Sequence, residues 1–195
     1  MKKEKEKVLC IIPARGGSKG IKLKNLQKVC DKPLIYYPVQ AAKKSKVCNK
    51  IIVSTDSNLI AKEAVKYGAE VPFLRKREFS GDFVTTEATL RNSLIEAENY
   101  YKEKYSICVF LTCTNLFRQS SWIKEAVNIL KRNKSIDSAF SVHGFYKHVW
   151  HKKGKKFTKV SKWMKSYTSR QVGQRLYRED TGLASATRAK FWWAG

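Results

Sequence analysis

Two cations and three glycines within six residues form the chemically most suggestive stretch of this chain. Arg15 and Lys19 alternate with Gly16, Gly17 and Gly20. Because glycine adopts backbone angles that other residues avoid, successive amide N–H groups can line a concave site for an anion. Charge-assisted hydrogen bonds from the two cations would add roughly 1.5–3 kcal/mol each. We call residues 14–20 the glycine loop, and they predict a phosphate-binding site.

The glycine loop matches neither of the two common phosphate-binding patterns. In the P-loop pattern a lysine follows the last glycine, whereas here Lys19 precedes Gly20, and the loop does not read G-x-G-x-x-G. The structural alternative is a strand followed by a flexible, solvated turn. Pro13 argues against that alternative, because its fixed φ angle stiffens the exit from the strand.

The loop must be held by the elements around it, and these alternate along the chain. Five apolar residues at 8–12 predict a buried strand, and further strands are predicted at 50–55, 71–74, 105–111 and 136–142. Helical spacing of apolar residues predicts helices at 31–46 (kinked or shortened by Pro38), up to Tyr67, from Thr85 onward, and after a Ser120-Ser121 cap. This order predicts an α/β fold with a mainly parallel sheet, whose ligands bind beyond the carboxyl ends of the strands. Asp56, at one such end, is expected to cap the next helix.

Length and composition favour one soluble domain. The chain has 195 residues, 43% of them hydrophobic, so we predict a single domain over residues 1–195. The apolar runs are too short for a membrane span, and residues 1–7 lack the apolar region of a secretory signal, so no membrane partner is expected. Five cysteines without a C-x-x-C pair indicate reduced thiols, and hence a cytoplasmic protein.

The net charge of +24 predicts attraction for nucleotides, acidic sugars and nucleic acid without choosing among them.

Residues 143–168 interleave lysines with aromatic residues, and we expect a β-rich extension or hairpin around Gly154. Such a segment could grip nucleic acid by stacking and phosphate neutralisation. We favour an extension packed against a partner subunit, because stacking needs a framework that the sequence does not show. His143, His148 and His151 share no face, so we expect no zinc site.

The glycine loop and several later segments resemble the acylneuraminate cytidylyltransferases, also called CMP-sialic acid synthetases. The opening signature is IPARGGSKGI at 12–21, followed by Lys24 and Asn25. The likeness continues through VSTD at 53–56, YGAEVPFLR at 67–75, RQ at 170–171 and YRED at 177–180. It therefore covers the chain from Val8 to about Ala189.

The resemblance implies a three-layer Rossmann-like fold of the nucleotide-diphospho-sugar transferase type, with a small dimerisation extension at 143–168. It implies a homodimer that transfers CMP from CTP to an acidic nine-carbon sugar (sialic acid or a related nonulosonic acid) and releases pyrophosphate. Arg15 and Lys19 are then the candidate catalytic residues, bearing the charge of the triphosphate, and Mg²⁺ is expected with CTP. The implied nucleotide-binding residues are Ala14, Gly16, Gly17, Ser18, Lys24, Asn25, Arg75 and Thr112, and the implied sugar-binding residues are Arg118, Arg170, Gln171, Tyr177 and Glu179.

The sequence departs from the family at two places. LTCTNLFR at 111–118 aligns with the family's LQPTSPLR, so Thr112 replaces a glutamine that helps to hold the base, while Arg118 is kept. Family members also continue into a segment whose acidic pair holds magnesium, which leaves the metal ligands here unknown. Three explanations stay open. The chain is a shortened relative, another acid such as Asp56 substitutes for the acidic pair, or the triphosphate itself holds most of the magnesium ion. The alternative is that the protein is a catalytically silent relative that binds nucleotide or nucleic acid. Of these two ligands, we expect nucleic acid less.

Overall fold

The chain divides into two compact units. A computed structural model of the protein describes residues 6–162, 171 and 174–194. Unit 1 consists of Met1–Ser141 and Thr181–Gly195, and unit 2 is Val142–Asp180. The single catalytic domain inferred from the sequence stays a prediction.

Unit 1 is built on a five-stranded sheet in the order β4-β1-β5-β11-β6. β1 pairs in parallel with β4 and β5, whereas β11 runs antiparallel to both β5 and β6. The mainly parallel sheet is thus confirmed, and β11 is an addition that the sequence pattern did not predict. The strands of the two units are, in chain order, β1 (Val8–Pro13), β2 (Lys28–Val29), β3 (Lys32–Pro33), β4 (Lys50–Ser54), β5 (Ile107–Phe110), β6 (Ser138–Phe140), β7 (Val142–Phe145), β8 (Trp150–Lys153), β9 (Lys156–Lys159), β10 (Leu176–Glu179) and β11 (Ser185–Arg188).

Four of the five helices lie where apolar spacing predicts them. The first begins later than expected, because Lys32–Pro33 is a strand, and Pro38 falls in its first turn, where a missing N–H costs little. Within the described ranges, every helix is too short or too polar to span a bilayer. The helices are α1 (Tyr36–Ser45), α2 (Asn58–Lys66), α3 (Thr86–Tyr101), α4 (Ser120–Arg132) and α5 (Ala189–Ala194).

The central strand β1 carries two cores, one on each face of the sheet. Val8, Cys10 and Ile12 pack in a cluster with residues of α1, α2 and α4, while Leu9 and Ile11 pack in a second cluster with residues of α3 and α5. Alternate residues of a strand point to opposite faces, so the helices cover both sides of the sheet. All five side chains are fully buried, and unit 1 is therefore a three-layer α/β/α structure.

Three predictions of local structure are wrong. Residues 71–74 form no strand, and only Glu70 makes an isolated bridge, to Ile52. The predicted strand at 136–142 is two short strands, β6 and β7, in different sheets. α4 begins at Ser120 itself, and Gln119 occupies the N-cap position without a side-chain hydrogen bond.

One end of β11 lies beside the end of β6, at the point where unit 2 leaves unit 1. Phe140 and Ser185 are partners in the antiparallel ladder, and the Ser141 N–H donates to the Ala184 carbonyl at 2.9 Å. Unit 2 is therefore an insertion into one hairpin of the sheet.

Unit 2 contains two antiparallel strand pairs. β7 pairs with β10, and β8 pairs with β9 in a hairpin that turns at Gly154, whose φ is +60°. That left-handed angle explains the glycine, because other residues adopt it at a cost. The hairpin expected around Gly154 is confirmed, and its β8 and β9 residues are almost all exposed.

Candidate active site

A cavity of about 620 Å³ opens at the carboxyl ends of β1 and β5. This is the edge of an open α/β sheet at which ligands bind. Most of the predicted nucleotide-binding side chains lie on its wall. The wall is formed by Pro13, Arg15, Ser18, Lys19, Gly20, Ile21, Lys24, Asn25, Arg75, Phe79, Ser80, Gly81, Asp82, Val84, Thr86, Thr89, Phe110, Thr112, Cys113 and Thr114.

The glycine loop is tied to its neighbours by hydrogen bonds at both ends. Buried Ala14 donates its N–H to the Ser54 carbonyl of β4 at 2.9 Å. Asn25, which is 5% exposed, donates its Nδ2 to the Arg15 carbonyl at 3.0 Å. The Ser18 N–H bonds back to the Gly16 carbonyl at 3.0 Å, which bends the loop. These bonds place the loop at the sheet edge before any ligand binds.

One glycine of the loop serves close approach, and none has an unusual backbone angle. Gly16, Gly17 and Gly20 all lack the left-handed φ that we expected, so that expectation is wrong. A Cβ on Gly16 would lie 3.1 Å from the Cβ of Ser57, whereas one on Gly17 or Gly20 would meet open space. A side chain at position 16 would therefore be tight against Ser57, at the N-cap of α2.

Asp56 binds the glycine loop and does not cap α2, so the expected cap is wrong. Its Oδ1 accepts the Gly16 N–H at 2.7 Å, and Ser57 occupies the N-cap position. The glycine loop passes so close to the end of β4 that the Gly16 N–H, rather than an N–H of α2, donates to this carboxylate. Asp56 therefore supports the loop, and it brings a negative charge close to Arg75, because its charge acts on that guanidinium.

The two loop cations converge on one carboxylate. Arg15 Nη1 lies 2.9 Å from Asp82 Oδ1, and Lys19 Nζ lies 2.8 Å from Asp82 Oδ2. The hydrogen bond from Lys19, with that from Arg15, lowers the pKa of the Asp82 carboxyl from its ordinary value. Sequence reasoning placed residues 80–82 in a loop and assigned Asp82 no role, because nothing in the local pattern reveals the pairing.

Arg75 carries a buried guanidinium that the described part of the chain does not satisfy. The residue is 6% exposed, and its backbone N–H donates to the Thr55 carbonyl at 2.7 Å. Its Nε and Nη2 are buried and have no hydrogen-bond partner among the described residues. Burial lowers the pKa of Arg75; Asp56 opposes that shift and Arg15 adds to it. A buried cation without a partner is costly, so this side chain suits an anionic ligand.

Arg118, which bonds to Thr112 of the cavity wall, is engaged by the chain itself. It is 9% exposed, and its Nη2 donates to the carbonyls of Thr112 at 2.8 Å and Gly182 at 2.7 Å. Its Nε also donates to the Leu183 carbonyl. Thr112 adds its own hydroxyl to the Gly182 carbonyl at 3.2 Å. These bonds fix the turn before β11, and the contact of Arg118 with sugar stays a prediction.

Residues 9–190 match the family model described as "Cytidylyltransferase". The chain belongs to the cytidylyltransferase family. The resemblance inferred from the sequence is thereby confirmed.

Curated relatives of this chain include two from Campylobacter. The chain is 38% identical over 128 residues to post-translational flagellin modification protein B of Campylobacter coli, covering 66% of this chain and 54% of the relative. It is 35% identical over 131 residues to pseudaminic acid cytidylyltransferase of Campylobacter jejuni, covering 66% and 55%. The chain therefore spans about half the length of these relatives.

A solved structure with the same fold is CMP:2-keto-3-deoxy-manno-octonic acid synthetase, complexed with CTP. The TM-score is 0.71 at 16% sequence identity, and the match covers 96% of this chain and 76% of that one. At this identity the likeness shows the fold alone. It confirms the Rossmann-like nucleotidyltransferase fold predicted from the sequence.

The remaining predicted site residues belong to unit 2. Tyr177 and Glu179 belong to β10, and the Arg175 guanidinium lies 5.2 Å from the Tyr177 ring centre. Gln171 is exposed, and Arg170 lies outside the described residues. Their contact with sugar stays a prediction.

Sequence reasoning also missed the start of α3 as part of the cavity wall. Thr86 and Thr89 lie one turn apart on that helix and line the cavity. The sequence does predict a helix from Thr85, whose hydroxyl accepts the Ala88 N–H at 3.1 Å, so the start of this helix could be located from the sequence. Cys113 also lines the wall, but burial raises the pKa of its thiol to about 12, so it is no nucleophile at neutral pH.

Proposed function

We propose that this protein transfers CMP from CTP to an acidic nine-carbon sugar and releases pyrophosphate. The observation that carries the proposal is the buried Arg75 guanidinium, whose Nε and Nη2 have no hydrogen-bond partner among the described residues, on a cavity that Arg15 and Lys19 also line. Three cations at one end of a cavity suit a triphosphate. The similarity to a pseudaminic acid cytidylyltransferase supports the sugar class.

The reaction needs positioning and charge neutralisation more than covalent chemistry. The anomeric hydroxyl of the sugar attacks the α-phosphorus in line, the bond from that phosphorus to the bridging oxygen breaks, and pyrophosphate leaves. Arg15, Lys19 and Arg75 bear the charge of the triphosphate. The Ser18 hydroxyl contacts its oxygens, together with loop amides other than those of Ala14, Gly16 and Ser18, which donate within the protein. Lys24 and Asn25 lie towards the nucleoside.

Magnesium is the cofactor that we propose for this reaction, since it neutralises charge on the triphosphate when bound. The described residues contain no group of three or more His, Cys, Asp or Glu side chains that could hold a metal. Asp56 fits a magnesium site with fewer protein ligands, because Mg²⁺ in nucleotide enzymes often takes one or two carboxylates together with phosphate oxygens and waters. Its carboxylate already lies against the glycine loop, at the Gly16 N–H. Asp56 and the triphosphate would hold the ion together.

A cytoplasmic homodimer is the assembly that we propose, with unit 2 at its interface. Its exposed β8–β9 hairpin supports this, since half of Trp150 and 62% of Phe157 are accessible in the single chain. The proposed sugar-binding residues of unit 2 are Arg170, Gln171, Tyr177 and Glu179.

Pyrophosphate release from CTP tests the proposal directly. The assay uses Mg²⁺ and a panel of sialic, pseudaminic and legionaminic acids, with UTP and ATP as control nucleotides. We expect release with CTP and at least one of these sugars. Absence of release with every sugar, together with measurable CTP binding, would favour a catalytically silent relative.

One observation favours that silent relative as the second candidate. Thr112 stands where the family has a base-holding glutamine, and its hydroxyl is bonded to the Gly182 carbonyl. Nucleic acid binding would instead show itself as salt-dependent affinity for single-stranded RNA, because phosphate contacts release counterions.

A further inference from the structure

We propose that Asp82 is a positioning residue that competes with the triphosphate, and with the pyrophosphate product, for Arg15 and Lys19. The inference rests on the proposed function. Each oxygen of its carboxylate meets one of the two cations, at 2.9 Å and 2.8 Å. In the free protein the carboxylate thus fills the place of two phosphate oxygens.

The segment that carries Asp82 is built to move away from the cations. It lies between a 3-10 turn at Arg77–Phe79 and the start of α3. The next side chain, Phe83, is fully exposed, and the Val84 N–H reaches the Gly81 carbonyl only at 3.4 Å. A segment with few buried contacts opens at low free-energy cost.

The competition must be weak enough for the triphosphate to win. The side chain of Lys19 is 77% exposed and that of Asp82 is 34% exposed. Ion pairs this accessible are worth little, and a triphosphate brings more negative charge than one carboxylate. Asp82 therefore lowers the affinity by the fraction of time that it holds the cations.

The same competition favours product release. Once the bond to the α-phosphorus breaks, pyrophosphate is held by the cations that Asp82 can reclaim. The carboxylate weakens substrate and product alike, and this prevents tight retention of pyrophosphate after each turnover. Arg75 lies outside this exchange, because the ion pairs of Asp82 are made with Arg15 and Lys19.

The test compares Asp82→Asn with Glu78→Gln, which removes the same charge four residues earlier on the same segment. Dissociation constants for CTP and for pyrophosphate are measured by titration calorimetry on the full chain without divalent metal. We expect Asp82→Asn to bind both ligands roughly threefold to tenfold more tightly, and Glu78→Gln to stay within twofold of the wild type.

Three results would overturn the inference. Weaker binding by Asp82→Asn would show that the carboxylate is part of the ligand site. Unchanged binding would show that it does not compete with the ligand. Equal tightening in Glu78→Gln would show that the effect comes from net charge alone. Because the titration needs no turnover, its result is independent of whether any sugar supports pyrophosphate release. In an active protein, inhibition by pyrophosphate should strengthen by the same factor.

Discussion

Arg75, on the cavity wall, and Arg118, which bonds to Thr112 of that wall, are almost equally buried but differ in their hydrogen bonds. On the β1–β4 side, Arg75 is 6% exposed, and its Nε and Nη2 have no partner within the described ranges. On the β5–β11 side, Arg118 is 9% exposed and donates to three backbone carbonyls. Nearly equal burial thus accompanies different bonding, since Arg75 keeps two nitrogens without a described partner and Arg118 ties down the turn before β11.

The largest effect should come from the β1–β4 side. Lys19→Ala is expected to lower turnover by roughly 10²–10³, comparable to the removal of one oriented donor in other active sites. The measurement is the steady-state rate of pyrophosphate release at saturating CTP. Lys22→Ala is the matched control, because it removes a nearby lysine that is not part of the cavity wall. Near-normal turnover of Lys19→Ala would remove Lys19 from the proposed mechanism.

Arg118→Met tests the β5–β11 side. The change removes the donor to the carbonyls of Thr112, Gly182 and Leu183, of which Gly182 still accepts from Thr112. We expect the free energy of unfolding to fall by about 2–4 kcal/mol. Urea unfolding followed by circular dichroism measures it. A variant as stable as the wild type would show that the turn before β11 does not depend on this guanidinium.

Arg75→Met should give the opposite pair of results. The free energy of unfolding should stay level or rise by up to about 1 kcal/mol, because two buried nitrogens without a described hydrogen-bond partner are removed while the attraction of Asp56 is lost. CTP affinity should fall by about tenfold to a hundredfold, since charge-assisted bonds to the ligand are lost. Titration calorimetry and urea unfolding measure the two effects. A loss of stability as large as that of Arg118→Met would assign both arginines to the fold.

The smallest effect concerns a turn outside the cavity wall. Cys30 and Asp31 join β2 to β3 with φ angles of 47° and 59°, which favour glycine. Asp31→Gly should raise the free energy of unfolding by about 0.5–1 kcal/mol. CTP affinity should not change, so this variant shows whether stability and binding can be altered separately. The melting temperature and one CTP titration check both statements.

The sequence predicted the parts of the site that are local. The glycine loop follows an apolar strand, and its cations are adjacent to it, so pattern and resemblance together located Arg15 and Lys19. Arg75 could be named through the resemblance, but its unsatisfied guanidinium is a property of packing. The exact bounds of the helices shifted where a proline or a cap competed with the apolar pattern, as at Pro38.

The missed features all depend on residues far apart in the chain. Asp82 meets Lys19 only because the segment before α3 folds back over the glycine loop. Asp56 looks like a helix cap until the Gly16 N–H, 40 residues away, reaches its oxygen. β11 is four residues long and is defined by its neighbours β5 and β6 rather than by an alternating pattern of its own.

The hairpin formed by β6 and β11 makes unit 2 a replaceable module. The chain leaves the sheet after Phe140 and returns at Ser185, its ladder partner, so the two ends are already one strand spacing apart. A short reverse turn can close that gap without changing the register of any strand. A chain with such a turn in place of Val142–Asp180 should keep the far-ultraviolet circular dichroism of a folded α/β sheet, and its loss would mean that the stem needs its insert. Inserts of other lengths and chemistries could then be carried on the same scaffold while the phosphate end of the cavity stays as it is.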